Sequence, residues 1–236
     1  MGFDFETGEI ILVNKPYRWT SFDVIGALQS FFKKELGMPK IKIGHAGTLD
    51  PLATGLMILC TGRATKRIEE FMGLEKEYTG TFVLGASTAS FDLEKPVDQV
   101  FPTEHITEGM IGDAVSSLTG DIMQVPPVFS AIKIDGKRAY KSARQGKDLE
   151  LQPRSVSIRE FEITRLALPE VDFRIVCRKG TYIRAIARDF GQALGSGAYL
   201  SALCRTRIGN HRLADAYEIE QFKELLRAGH QENPRN

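Results

Sequence analysis

Gly44-His45-Ala46-Gly47-Thr48-Leu49-Asp50-Pro51-Leu52-Ala53-Thr54-Gly55 is the stretch around which the rest of this chain is read. Three glycines and a proline in twelve positions exclude a regular helix or strand, because glycine loosens the backbone and proline removes a donor. Leu49 and Leu52, on either side of Asp50, pin the loop into the core, and Pro51 biases Asp50 toward an extended backbone. The loop therefore holds a carboxylate on a stiff support, as functional loops on rigid scaffolds do. An ordinary Asp-Pro turn contains the same dipeptide. The functional reading rests on the full pattern.

Working outward, Leu56-Met57-Ile58-Leu59-Cys60 after the loop reads as a buried strand, and Ile10-Ile11-Leu12-Val13 before it as another. Between them, Ser21 can cap a helix in which Val24, Ile25, Leu28, Phe31 and Phe32 recur at helical spacing, ending near Gly37. Residues 64–72 read as a helix, 78–84 as a strand, 87–102 as a polar, irregular candidate active-site loop, and 107–118 as a helix closed by Gly120. Residues 129–134 look like a strand turned at Asp135-Gly136, and 137–145 like a short helix with Lys137, Lys141 and Arg144 on one face. Residues 154–168 are strand-like with a slip in alternation that predicts a bulge near Arg159-Glu160. Val171, Phe173, Ile175 and Cys177 alternate as a half-buried strand, and Thr181 can cap the helix of Ile183, Ile186, Ala187, Phe190 and Leu194. A strand at 199–208 and a helix at 219–226 follow. Strands and helices are mixed without regular βαβ alternation. This predicts an α+β fold with a mixed, mostly antiparallel central sheet flanked by helices and loops. With no repeat or linker in sight, one domain is expected over residues 1–236.

With 42% hydrophobic and 26% charged residues the composition is that of a soluble globular chain. No apolar run is long enough for a membrane span, and the acidic N-terminus lacks a signal pattern, so a cytoplasmic protein without a membrane is expected. Cys60, Cys177 and Cys204 are odd in number and far apart, which favours reduced thiols over disulfides or a metal site. The net charge of +1 does not announce a nucleic-acid binder, but its distribution is uneven: six basic residues stand against Asp135 alone between Lys133 and Lys147. Such patches fit a polyanion on part of the surface and fit solvated helix faces equally well. There is no G-x-x-x-x-G-K-[ST], no H-E-x-x-H, no nucleophile elbow and no paired-cysteine motif. The expectation is chemistry without a metal, redox cofactor or ATP, resting on Asp50, hydroxyls and arginines.

The loop at 44–55 resembles the catalytic motif of TruB-type tRNA pseudouridine(55) synthases. Further stretches agree with it in order. Lys15-Pro16 with Thr20-Ser21 resembles the N-terminal motif of that family, and Lys76-Glu77-Tyr78 its tyrosine motif. Gln124-Val125-Pro126-Pro127 and Gly136-Lys137-Arg138-Ala139-Tyr140 resemble its RNA-gripping insertion, about 124–153. Lys179-Gly180-Thr181-Tyr182-Ile183-Arg184 resembles the arginine motif, and Leu203-Cys204-Arg205 with Arg207-Ile208-Gly209 the last catalytic strand.

The resemblance implies the pseudouridine synthase fold and cofactor-free isomerisation of the T-loop uridine of tRNA by a monomer. Asp50 would attack covalently or remove a ribose proton to give a glycal. Arg184 would pair with Asp50 and keep it ionised, and Tyr78 would stack on the uracil and help remove the carbon-5 proton. Tyr182 would wall the pocket and Leu203 pack against the base. His45 would fill the stack vacated by the flipped base, and Lys137, Lys141 and Arg144 would clamp phosphates of the T-arm. A catalytically idle tRNA-remodelling protein of the same fold is the alternative, disfavoured by the joint presence of Asp50, Tyr78 and Arg184. An aspartate-nucleophile phosphatase would want a metal-binding acidic cluster near Asp50, which the sequence lacks. Two departures stand out. Arg18 occupies a turn position where the family commonly has glycine, so that turn is built differently or Arg18 is strained. The small C-terminal PUA domain of many relatives is expected to be missing, which predicts weaker contact away from the T-arm.

Overall fold

The computed structural model describes residues 3–38, 40–128 and 151–232, with two short strands at 133–134 and 137–138. In chain order the first elements are β1 (Ile10–Lys15), α1 (Ser21–Lys34), β2 (Ile43–His45), β3 (Thr54–Thr61), α2 (Ile68–Gly73) and β4 (Lys76–Leu84). Then come β5 (Ala86–Thr88), β6 (Val97–Val100), α3 (Glu108–Ser117), β7 (Gly120–Gln124), β8 (Lys133–Ile134) and β9 (Lys137–Arg138). The chain closes with β10 (Arg154–Ala167), β11 (Glu170–Cys177), α4 (Ile183–Ala193), β12 (Ala198–Ile208), β13 (His211–Arg212), β14 (Tyr217–Glu218) and α5 (Ile219–Glu232). Two compact units result, Met1–Tyr78 with Cys204–Asn236, and Thr79–Leu203. Strands β4 and β12 each begin in one unit and end in the other.

In the first unit the strand order is β14-β1-β3-β12, with β2 beside β3 and β13 beside β12. Strand β3 runs antiparallel to β1 and parallel to β12. Being buried along nearly its whole length, it reads as a continuous apolar run. Leu56, Ile58 and Cys60 share a core with Ala46, Phe71 and Ile208. Strand β1 alternates, burying Ile11, Val13 and, at the next inward position, Lys15. A second cluster is aromatic: Phe5 lies 4.6 Å from Phe32 of α1 and 6.5 Å from Phe222 of α5, centroid to centroid.

In the second unit the order is β12-β4-β11-β10-β7. Strand β10 is antiparallel to both neighbours. The slip expected near Arg159-Glu160 is present as a register shift between Ile158 and Glu160, and a second lies between Ile163 and Arg165. Phe82 of β4 and Phe173 of β11 stack at 4.1 Å, joined by Phe161 and Phe190.

Several expectations are corrected. Thr20, not Ser21, caps α1, in a reciprocal capping box with Asp23. Thr181 does not cap α4: its hydroxyl donates to the Arg178 carbonyl, and Tyr182 occupies the cap position. The start of the helix expected at 64–72 is a 3-10 turn, Gly62–Arg67. The region 87–102 contains a hairpin, β5 against β6. The helix expected from Lys137 begins instead as a strand, Lys137–Arg138 pairing with Lys133–Ile134, which the Asp135-Gly136 hairpin signal explains. Lys141 and Arg144, and the remainder of that helix, lie outside the described residues.

Candidate active site

Asp50 stands half-buried between two residues whose backbones are clamped. On one side the buried Ser21 hydroxyl accepts from Leu49 N (3.0 Å) and donates to Leu49 O (3.3 Å). On the other, Pro51 O accepts from Arg18 N (2.8 Å) and from Lys15 Nζ (3.2 Å). Ala53 N closes a turn onto Asp50 O at 3.1 Å. The hydroxyl freed from capping by Thr20 is therefore what ties α1 to the loop.

Lys15 reaches this position because β1 alternation turns it inward, where an ammonium is expensive unless saturated. It is fully buried and donates also to Pro16 O (2.9 Å) and Trp19 O (2.6 Å). Burial lowers its pKa to about 8; the Asp50 and Asp23 charges oppose the shift and Arg205 adds to it. The expectation for Arg18 holds in its second form, since it sits at φ +67°.

Arg205 closes the loop from the β12 side. It is 1% exposed, donating from Nε to Leu56 O (2.8 Å) and from NH2 to Gly47 O (3.1 Å), so one guanidinium holds both shoulders of the loop. Its backbone pairs with Gly55, where φ is +107° and a Cβ would lie 2.4 Å from Arg205 O; only glycine fits. His45 ends β2 with its ring edge-on to Phe22, centroids 5.9 Å apart. Its buried Nδ1 has no hydrogen-bond partner among the described residues. Burial, then the Arg205 charge, push the His45 pKa down, while the Gly47 backbone opposes. The net shift favours the neutral imidazole.

Tyr78 lies half-buried on β4, in the same unit as Asp50. The preceding residues anchor its strand: buried Lys76 donates to Phe71 O, Met72 O and Leu74 O, finishing α2, and Glu77 accepts from the Thr206 hydroxyl at 2.8 Å. Leu203, on β12, is half-buried and belongs to the other unit.

Arg184 sits in the first turn of α4, 4% exposed. Its Nε is 3.6 Å from Asp92 Oδ2 and its NH1 donates to Ser90 O at 3.1 Å. Asp92 is itself buried, with the Thr88 and Ser90 hydroxyls donating to its carbonyl and Glu94 N to its Oδ1. The sequence marked 87–102 as a site loop without singling out Asp92; its signal is the run of short polar side chains that fold the turn back on itself. Gln124 was read only as part of the insertion motif, not as a partner of Tyr182. Buried, it accepts from Tyr182 N (2.9 Å) and donates to Tyr182 O (3.2 Å), fixing the peptide that leads into Arg184. Among the described residues no group of His, Cys, Asp and Glu could hold a metal ion, and no helix is long and apolar enough to cross a membrane.

The chain is 55% identical to "tRNA pseudouridine synthase B" of Phocaeicola vulgatus over 223 residues, covering 94% of this chain and 95% of that one. A relative of the same name from Flavobacterium johnsoniae is 53% identical, over 94% and 98%. In structure the chain is similar to a chain of a Cbf5-Nop10-Gar1 complex, with a TM-score of 0.73 and 24% identity over 98% of this chain; it spans 58% of that chain, a likeness of fold. Residues 33–183, from the end of α1 to the residue before Arg184, match the TruB family pseudouridylate synthase (N terminal domain), and the chain belongs to that family.

Proposed function

We propose that this chain isomerises the T-loop uridine of tRNA to pseudouridine. The observation that carries the reading is the double clamp on Leu49 and Pro51, which fixes the backbone of Asp50 on both sides. Relatives more than half identical carry the name of the reaction, and the Asp50, Tyr78 and Arg184 motifs are all present.

The reaction breaks the bond between C1′ and N1, turns the uracil, joins C1′ to C5 and transfers the C5 proton away while N1 regains one. No atom is gained and no electron is exchanged with a cofactor. Asp50 adds to C1′ or takes a ribose proton, and both routes need an ionised carboxylate at fixed geometry. Tyr78 stacks on the flipped uracil and assists loss of the C5 proton, directly or through water. Arg184 supplies the cation that orients a carboxylate, with Asp92 and Ser90 holding its guanidinium in place. Tyr182 and Leu203 border the base. Neutral His45 offers a flat face to the stack the uracil leaves. Lys137, Lys141 and Arg144 contact T-arm phosphates, which gives salt-sensitive affinity with little base selectivity.

Tritium release from carbon 5 of uridine in a T-arm hairpin tests the reading. Release by wild type and none by Asp50→Asn, with hairpin binding retained, is the expected result. Tight binding without release by wild type, on hairpin and whole tRNA alike, would favour the RNA-remodelling alternative.

A further inference from the structure

Three exposed side chains edge the Asp50 loop within its own unit. Tyr17 is 48% and Phe22 65% exposed, large apolar surfaces for residues beside a site. The exposed Arg18 guanidinium lies 5.5 Å from the Tyr17 ring centroid and makes no ion pair or side-chain hydrogen bond among the described residues. The nearby carboxylate of Asp23 is engaged, accepting from Thr20 N and the Thr20 hydroxyl.

The same backbone contacts that clamp the loop fix these side chains around it. Arg18 N is on Pro51 O, Ser21 next to Phe22 is on Leu49, and the Phe22 ring meets His45. Arg18 is held at φ +67°, a conformation that strains any residue with a β-carbon, so its side chain is displayed against the local backbone preference. Two exposed aromatic rings and a cation without an ion pair, all held at the same loop, complement a ligand that has π faces and negative charge together. Single-stranded nucleic acid is that ligand.

We propose that Tyr17, Arg18 and Phe22 form a platform on which unpaired bases of the RNA loop stack, with Arg18 on a phosphate, while the target nucleotide occupies the Asp50 site. The proposal rests on the RNA-modifying reading above and adds the surface that receives the flanking nucleotides.

The test titrates full-length wild type, Tyr17→Ala, Phe22→Ala and Arg18→Gly against a T-arm RNA hairpin at several salt concentrations. Melting temperatures and wild-type tritium release are followed in parallel. Each aromatic variant should bind roughly five- to hundredfold more weakly. Arg18→Gly should bind more weakly with a log K versus log salt slope shallower by about 0.7, yet melt at the same temperature or up to roughly 4 °C higher because its strain is relieved. Loss of affinity with gain of stability is an outcome a merely structural role does not produce. Affinities and salt slopes indistinguishable from wild type, with wild type converting the hairpin normally, would overturn the platform alone. Failure of wild type itself to convert hairpin or tRNA would overturn the enzymatic reading instead.

Discussion

Lys15 Nζ donates three hydrogen bonds to carbonyls in the buried interior of its unit, one of them to the residue after Asp50. With its pKa lowered from 10.5 to about 8, the folded protein sheds this proton while the unfolded chain still holds it. Between those two values the unfolded state binds more protons, so stability rises with pH, and below about 8 the group contributes no slope. Urea unfolding should find wild type gaining a few kcal/mol on Lys15→Met across that window. Catalysis should move the other way. A neutral amine has one donor fewer, and the longest bond, to Pro51 at 3.2 Å, is the one to weaken. Turnover should therefore fall above about pH 8 as stability climbs. Lys15-Pro16 was recognisable in the sequence as a motif, but its task was not, because its far partner is 36 residues away. At Arg18 the sequence left two readings, a turn built differently or a strained residue, because the family commonly has glycine there, and the φ of +67° decides for the second. Asp92 was not legible, because a buried carboxylate and a solvated one are spelled alike.

At the scale of elements, α1 and the loop are joined through one hydroxyl. Ser21→Ala leaves Leu49 N and O without that partner in a buried place, a loss of about 1–3 kcal/mol. The helix survives because Thr20 caps it. The expected outcome is a modest drop in melting temperature and a fall in turnover of roughly ten- to hundredfold with KM nearly unchanged, read from steady-state tritium release. Thr20 and Ser21 are adjacent and both suit a cap, so the sequence alone could not assign cap and clamp. A shift of one residue exchanges the roles. Apolar periodicity placed α1, β3, β11 and α4 well, and the phase slip located the bulge in β10. The β5–β6 hairpin escaped because its exposed Val97 and Val100 turn no buried face inward, leaving no alternation to read.

For the molecule as a whole, each unit has its own apolar centre. In the second, Phe82 is fully buried and touches Phe161, Phe173 and Phe190. Phe82→Ala should cost about 3–5 kcal/mol in denaturant unfolding, more than the roughly 1–3 kcal/mol of Ser21→Ala. The α+β class followed from the mixture of elements, but the strand order did not, since it depends on pairings between distant segments. One of these is the parallel join of Thr54–Gly55 to Cys204–Arg205. Synthesis delivers Asp50 early and Arg205 late, and closing so long a segment is entropically slow. A nascent chain that already contains Asp50, Tyr78 and Arg184 thus still lacks the strand that sets the loop. Competence is therefore expected to arrive only once β12 has been made and has joined the loop, so the aspartate is set by one of the later segments to leave the ribosome.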